Sequence, residues 1–225
     1  MNLDLEAPDH TTLSRRAQHL DVRLRRVPVE EPLHLIVDST GLSIVGEGEW
    51  AAAKYGGKGR RGWRKLHLGV NRAGTIVAQV VTDSNVDDAF TGLTLIGQVE
   101  SDIARFTADA AYDTIAIYDA AVGRGAEVVV PPTKGATVSR RKPRSAARDR
   151  TVAKVNDIGR RRWKKESGYH RQGTVENAFF RYKAIIGDRL RARSSDAQAV
   201  EARLASNILN RTFELGRPTS VAIPC

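Results

Sequence analysis

A mixed α/β fold is predicted for this chain: three antiparallel strands, then parallel strand–helix–strand units. Three observations predict it. Apolar runs at 33–37, 65–70 and 75–81 come first, the last two joined through Asn71-Arg72-Ala73-Gly74, a hairpin connection. Further runs at 105–108 and 126–130 then alternate with stretches of helical spacing, and a strand–helix–strand order implies a right-handed parallel crossover. Finally, 225 residues with 41% hydrophobic content suffice for one buried core.

Residues 1–32 read as a polar lead-in with a short helix near Thr11–Gln18, and the Arg and Pro up to Pro32 read as a linker. Leu33–Val37 is a buried strand that Asp38-Ser39-Thr40-Gly41 is expected to stop with turn residues. Residues 46–63 are Gly-rich and basic, hence a loop, before the hairpin formed by the next two strands. From Asp87 to Val99, Phe90, Leu93 and Ile96 recur at helical spacing. The strand ending at Ala108 follows, and Asp113 or Thr114 caps the next helix, with Ile117, Ala120 and Ala121 on its apolar side. Ala126–Val130 is the fifth strand, closed by Pro131-Pro132.

Residues 133–168 show almost no recurring apolar position, and Pro, Arg and Ser dominate, so a mobile basic loop is expected there. Val175, Phe179, Tyr182 and Ile186 then form a helical stripe suited to packing on the sheet. The last helix is expected to open on the capping box Ser195-Asp196-Ala197-Gln198, to turn Val200, Leu204 and Ile208 inward, and to stop before Gly216. The core thus spans 33–216, with 217–225 as a tail.

Charge narrows the chemistry. The chain carries +10, and between Lys134 and Lys165 there are 13 Lys and Arg against two acids, which leaves the remainder near neutral. Concentrated positive charge meets phosphates, where counterion release drives binding. A signal-peptide pattern is absent from the start, no run approaches the roughly 18 apolar residues of a membrane span, and the lone cysteine is Cys225. A reducing, cytoplasmic location is therefore expected, without a disulfide framework.

Three acids stand out against this basic background. Asp38 and Asp109 follow apolar strands, and Glu176 lies among Tyr169, His170, Arg171 and Lys183 on a predicted helix. Hard divalent cations take carboxylate oxygens, and two of them about 4 Å apart can stabilise both the attacking and leaving oxygens of a phosphodiester. Asp113 competes with Asp109 as a ligand, but it precedes a helix and is assigned to capping. His34 and His67 lie inside strands and read as satisfied interior side chains. Lys54, Lys58, Arg60, Arg61, Arg64 and Lys65 interleave with Tyr55 and Trp63 in a pattern suited to phosphate contacts and base stacking, although Trp63 at a strand border is expected to pack.

At these residues the chain resembles the DDE transposases of bacterial insertion sequences, in particular the IS-five family. The likeness runs through Leu33–Leu42, Trp63–Leu68, Ala108–Asp113 and Tyr169–Lys183, nearly the whole chain, and the order of the blocks is more specific than any one of them. It implies an RNase H-like five-stranded mixed sheet flanked by helices, with Asp38, Asp109 and Glu176 as a catalytic triad holding two Mg²⁺ or Mn²⁺ ions. It implies cleavage at the terminal inverted repeats, strand transfer into target DNA and a homodimer on DNA, in the bacterial cytoplasm at the nucleoid. Tyr169, Arg171 and Lys183 would position phosphates. Family members carry an N-terminal region that binds the transposon ends, and residues 1–32 resemble its remnant, which implies truncation. The family places Arg three residues after the Tyr of this motif, where this chain has Gln172. A guanidinium fork is poorly replaced by an amide, so a DNA-binding or interfering protein without cleavage stands beside the catalytic reading.

Overall fold

A computed structural model describes residues 8–25, 32–45, 62–140 and 144–216. Its sheet has the order β3-β2-β1-β4-β5, with β1 Leu33–Ile44, β2 Trp63–Val70, β3 Ile76–Asp83, β4 Ile103–Thr107 and β5 Glu127–Val129. β2 and β3 run antiparallel to their neighbours, while β4 and β5 run parallel to β1 and to each other. The expected meander and crossover are thus present. A sixth strand, β6 Arg189–Leu190, pairs parallel with the end of β1; two residues are too short to show alternation in a sequence.

β1 corrects one expectation. It does not stop at Asp38 but continues through Asp38-Ser39-Thr40-Gly41 to Ile44, because β2 pairs along it as far as Ser43 opposite Trp63. Cross-strand pairing here outweighs the poor strand preference of Asp and Gly. Only β4 stops early, its last pair being Ile36 with Thr107.

Helices cover both faces. On one, α2 Asp88–Gln98 and α3 Ile115–Gly123 pack with Leu35, Val37, Phe106 and Ile103. On the other, α6 Gly173–Arg181 and α7 Ser195–Glu214 pack with Ile36, Leu66, Leu68 and Val70. Ile36 and Leu35 fall on opposite faces because strand side chains alternate. Gly92 permits the close seating of α2: a Cβ there would stand 2.9 Å from Ile117 Cδ1 and 3.0 Å from the Tyr112 ring. A short α1, His10–Ala17, is capped by Asp9.

Helix phases differ from the expected ones in two places. Phe90 is exposed, and Ala89, Gly92, Leu95 and Ile96 face inward from α2. In α7, Val200 is buried as expected, but Leu204 and Ile208 point outward and Ala202, Ala205 and Leu209 face the sheet. The cause is a polar anchor: Asn210 accepts from Ile76 N–H at 2.9 Å and donates to Ile76 C=O at 2.8 Å, fixing the rotation of α7 against the edge strand β3. Its cap is Ser194, one residue before the expected box.

The segment expected to be a loop at 133–168 carries two helices, α4 Ala146–Ile158 and α5 Arg160–Glu166. Each buries a single apolar residue, Val152 and Trp163, so no periodic stripe marks them. Tertiary contacts hold them instead. Arg148 of α4 forks onto both oxygens of Asp113 at 2.8 and 2.9 Å, and Thr133 N–H donates to the same carboxylate. Asp113 is therefore not a cap; Thr114 caps α3.

Both interior histidines are satisfied at Nε2, His34 with Thr107 Oγ1 at 2.8 Å and His67 with Thr82 Oγ1 at 2.9 Å. Burial is the main cause that pulls each down to about 4.

Two outcomes are expected. The Asp113 side chain is fully buried, so Arg148→Ala strands a carboxylate and lowers stability by about 3 kcal/mol in denaturant unfolding, whereas Asp113→Asn combined with Arg148→Met recovers much of the loss. Between pH 6.5 and 4 the unfolded chain protonates histidines that the folded chain keeps neutral, so stability falls as pH falls. Unfolding measured across that window is expected to lose about 2–3 kcal/mol less in His67→Gln than in wild type; identical slopes would show that His67 titrates alike in both states.

Candidate functional site

The register of β1 against β4 sets the site. Ile36 pairs with Thr107 on parallel strands about 4.8 Å apart; Asp38 lies two residues beyond that pair on β1, and Asp109 two residues beyond it just past the end of β4, where it caps a short helical turn. Asp38 is on the face of Ile36, the face that α6 covers through Val175, Ala178 and Phe179. Glu176 follows Val175 in the first turn of α6. The helix is tied in place by Gln172, whose buried Nε2 donates to Val37 C=O at 3.0 Å, one residue before Asp38.

The electrostatics agree with this placement. Burial pushes the Asp38 carboxyl up to about 6, the charges of Asp109 and Glu176 push the same way, and the Ser39 N–H at 2.8 Å opposes them. Burial also raises Asp109, against a 2.9 Å hydrogen bond from Ala111 N–H. Each aspartate thus has one oxygen held by the backbone at the turn or strand that presents it. Glu176 has no hydrogen bond or ion pair among the described residues. A cation beside Asp38 would pull it back toward ionisation.

All three are hard oxygen donors, and so fit a hard divalent cation. Among the described residues, no three His, Cys, Asp or Glu stand close enough together to hold one ion as placed. The fit therefore lies in donor chemistry, in the register that puts Asp38 and Asp109 side by side, and in the charges of Asp109 and Glu176 bearing on Asp38.

Tyr169 stands beside this group. Its hydroxyl is pushed up to about 12 by burial first and then by Asp109, Asp38 and Glu176. Its ring lies 6.4 Å from Trp163 and 4.6 Å beneath Lys164 Nζ, so α5 holds it. Gly168, at φ +69, supplies the left-handed turn that leads from α5 into this residue. Lys183 donates to Thr40 Oγ1 at 2.8 Å, two residues past Asp38 on the same face. It sits in a π-helical turn, Tyr182–Ile186, that closes with Gly187 N–H on Tyr182 C=O. Arg171 is exposed, and its charge bears on His34 at the start of β1.

The other cations expected to meet DNA divide in two. Arg64 donates to Gln198 and Ser195 and pairs with Asp83, while Lys65 donates to Val86 C=O at 2.8 Å and to Asp88 at 3.1 Å. Both are engaged within the chain, where they join β2 to α7 and α2. Lys58, Arg60 and Arg61, with Lys54 and Tyr55, lie outside the described residues. Trp63 is half-exposed and rests over Gly41, whose Cβ would meet its ring at 3.4 Å.

One acid escaped the sequence reading. Asp88 raises Asp38, Asp109 and Tyr112, and is itself held by Lys65, with His67 Nδ1 at 3.7 Å. At a helix start it resembles any first-turn acid, and only the pairing of β2 beneath α2 reveals its neighbours. No helix among the described residues is long and apolar enough to cross a membrane.

Residues 30–211 match a family model described as the transposase DDE domain, and residues 1–47 match a second model of the same description. No solved structure matches the chain. The first match spans all six strands and the three acids, within a mixed sheet flanked by helices that is consistent with the RNase H-like fold. Members of this family generally use divalent metal ions and act on DNA, and the chain belongs to the transposase DDE-domain family.

Proposed function

We propose that this chain is an insertion-sequence transposase of the IS-five type that cleaves DNA strands at terminal inverted repeats and transfers them to target DNA. The observation that carries the reading is the placement of Asp38 and Asp109 two residues beyond the last β1–β4 pair, on the side where Glu176 raises Asp38. Asp38, Asp109 and Glu176 would hold two Mg²⁺ or Mn²⁺ ions. Such ions supply the activation of water or a 3′-hydroxyl and the stabilisation of the leaving oxygen.

The chain's own groups do the rest. The backbone N–H groups of Ser39 and Ala111 orient the two aspartates and leave the second oxygen of each open. Lys183, held at Thr40, places a positive charge beside the carboxylates, and Arg171 places another at the entrance to α6. Tyr169, neutral at any physiological pH because its hydroxyl titrates near 12, can donate to a phosphate oxygen without adding charge. Gln172 is assigned to structure rather than to substrate, since its amide is buried on Val37 C=O. This weakens the reading of a protein that binds DNA without cutting it, which took Gln172 as a lost phosphate contact. A homodimer on DNA is part of the proposal.

Nicking of a duplex bearing the element's end is expected to require Mg²⁺ or Mn²⁺ and to stop with a chelator. Glu176→Gln should lower the rate by at least about a hundredfold while leaving salt-sensitive DNA binding nearly unchanged; nicking at the wild-type rate would remove Glu176 from the chemistry. Without DNA, Mg²⁺ should raise the melting temperature of wild type more than that of Glu176→Gln, because an ion that binds only the folded state stabilises it. Equal shifts would argue against the triad as the metal ligands.

A further inference from the structure

One flank of α6 borders a groove that the cutting chemistry does not use. It lies between the β2–β3 turn, α6 and the end of α7, and is lined by Arg72, Thr174, Asn177, Phe180, Arg181 and Phe213. Resting on the transposase reading above, we infer that this groove is a second nucleic-acid subsite that takes one unpaired DNA nucleotide, its base on Phe180 and its phosphate at Arg72.

Phe180 motivates the base. It is 74% exposed, although Phe179 beside it, the other aromatic residue of α6, is buried. A lone exposed aromatic is ordinary, but this one lies four residues after Glu176 and so on the same exposed stripe, one turn on. A strand whose phosphate reaches Glu176 passes within a nucleotide's length of this ring. Stacking on an aromatic face is tolerant of sequence, as an unpaired base near a cut site requires.

The walls motivate the phosphate. Among the described residues, no acid lines the groove. Arg72, at the tip of the β2–β3 turn, is exposed and has no hydrogen bond or ion pair among the described residues. After burial and Arg105, the charges of Arg72 and Arg171 both bear on His34. Arg181 stacks 4.8 Å over the Phe213 ring and donates to Gly74 C=O, which fixes the far wall. Thr174 and Asn177, three apart on α6, supply hydroxyl and amide groups able to reach base edges or sugar.

The test uses the whole chain in chelator, so that binding is read without cutting. Two probes share a duplex, one blunt and one carrying a short single-stranded tail with 2-aminopurine at the junction. Wild type is expected to prefer the tailed DNA and to quench the 2-aminopurine. Phe180→Ala should bind the tailed DNA roughly tenfold more weakly, lose the quench and leave blunt-duplex affinity within about twofold, whereas Phe180→Trp restores both. Arg72→Ala should flatten the salt dependence on the tailed DNA by about one unit. Phe180 is exposed, so a melting temperature equal to wild type is expected and separates lost stacking from lost fold.

Equal affinity and quench in Phe180→Ala would overturn the subsite. So would a Phe180→Ala chain that turns from dimer to monomer with DNA binding intact, since the groove would then seat a second copy. Wild-type nicking by Glu176→Gln, by contrast, would overturn the metal triad and leave these binding measurements standing.

Discussion

The structure hangs on β1, a central strand that pairs with β2 on one edge and with β4 and then β6 on the other. β2 accompanies it from Ile36 to Ser43, β4 leaves it after Ile36, and β6 takes its other edge only from Ser43. Between Ile36 and Ser43 one edge of β1 is therefore open, and Asp38 lies in that gap. A carboxylate in the middle of a fully paired and covered strand would be a severe burial cost. In the gap it is half-buried, which is enough to push it up to about 6 but leaves it reachable. The early end of β4 also frees Asp109 to turn into the short helical turn that caps on its own side chain. A single pairing boundary thus creates the space and sets the positions of two of the three acids.

The third acid depends on how α6 is seated, and here a polar contact does what apolar packing cannot. Val175, Ala178, Phe179 and Tyr182 bury the helix but allow it to slide along the sheet. The hydrogen bond from Gln172 to Val37 C=O and that from Lys183 to Thr40 pin it at two points on either side of Asp38 along β1. Since Glu176 lies between those two residues in sequence, its distance from Asp38 is governed by both. The π-helical turn at Tyr182–Ile186 contributes by changing the pitch just where Lys183 must reach β1. Gln172 Oε1 is left buried without a hydrogen-bond partner among the described residues, a cost that the seating of α6 has to offset. The cost is consistent with a side chain placed for the sake of its Nε2 bond.

Much of this was legible in the residues, and the failures share one cause. The five main strands and the antiparallel-then-parallel order follow from local runs and turn residues, because those signals lie within a few residues of one another. The three acids proposed as the site stand out in the residues because they lie in order among blocks of characteristic sequence. The extent of β1, the rotation of α7 and the existence of α4 were not, because each is decided by a partner far away in sequence. β1 is prolonged by residues 63–70, α7 is turned by Asn210 on Ile76, and α4 is held by Arg148 on Asp113. Arg148 is the instructive case: in a stretch with a surplus of cations it looks like one more phosphate contact, yet it is the partner of a fully buried acid. Arg64 and Lys65 follow the same pattern.

Charge counted along a sequence therefore overstates what is available to DNA, and the correction bears on where DNA can lie. Of the cations expected near the active centre, those on β2 are engaged by α2 and α7, while Arg171 and Lys183 flank α6. The α4–α5 unit keeps exposed Arg161 and Lys165 next to Lys164, which lies over the Tyr169 ring. Among the described residues, positive charge accessible to a polyanion thus lies on the α5–α6 side of the sheet, within the stretch where the sequence concentrates it, and at the β2–β3 turn. Under the proposed function, a strand following that charge meets Tyr169 and the carboxylates, with the groove at Phe180 one turn further along α6.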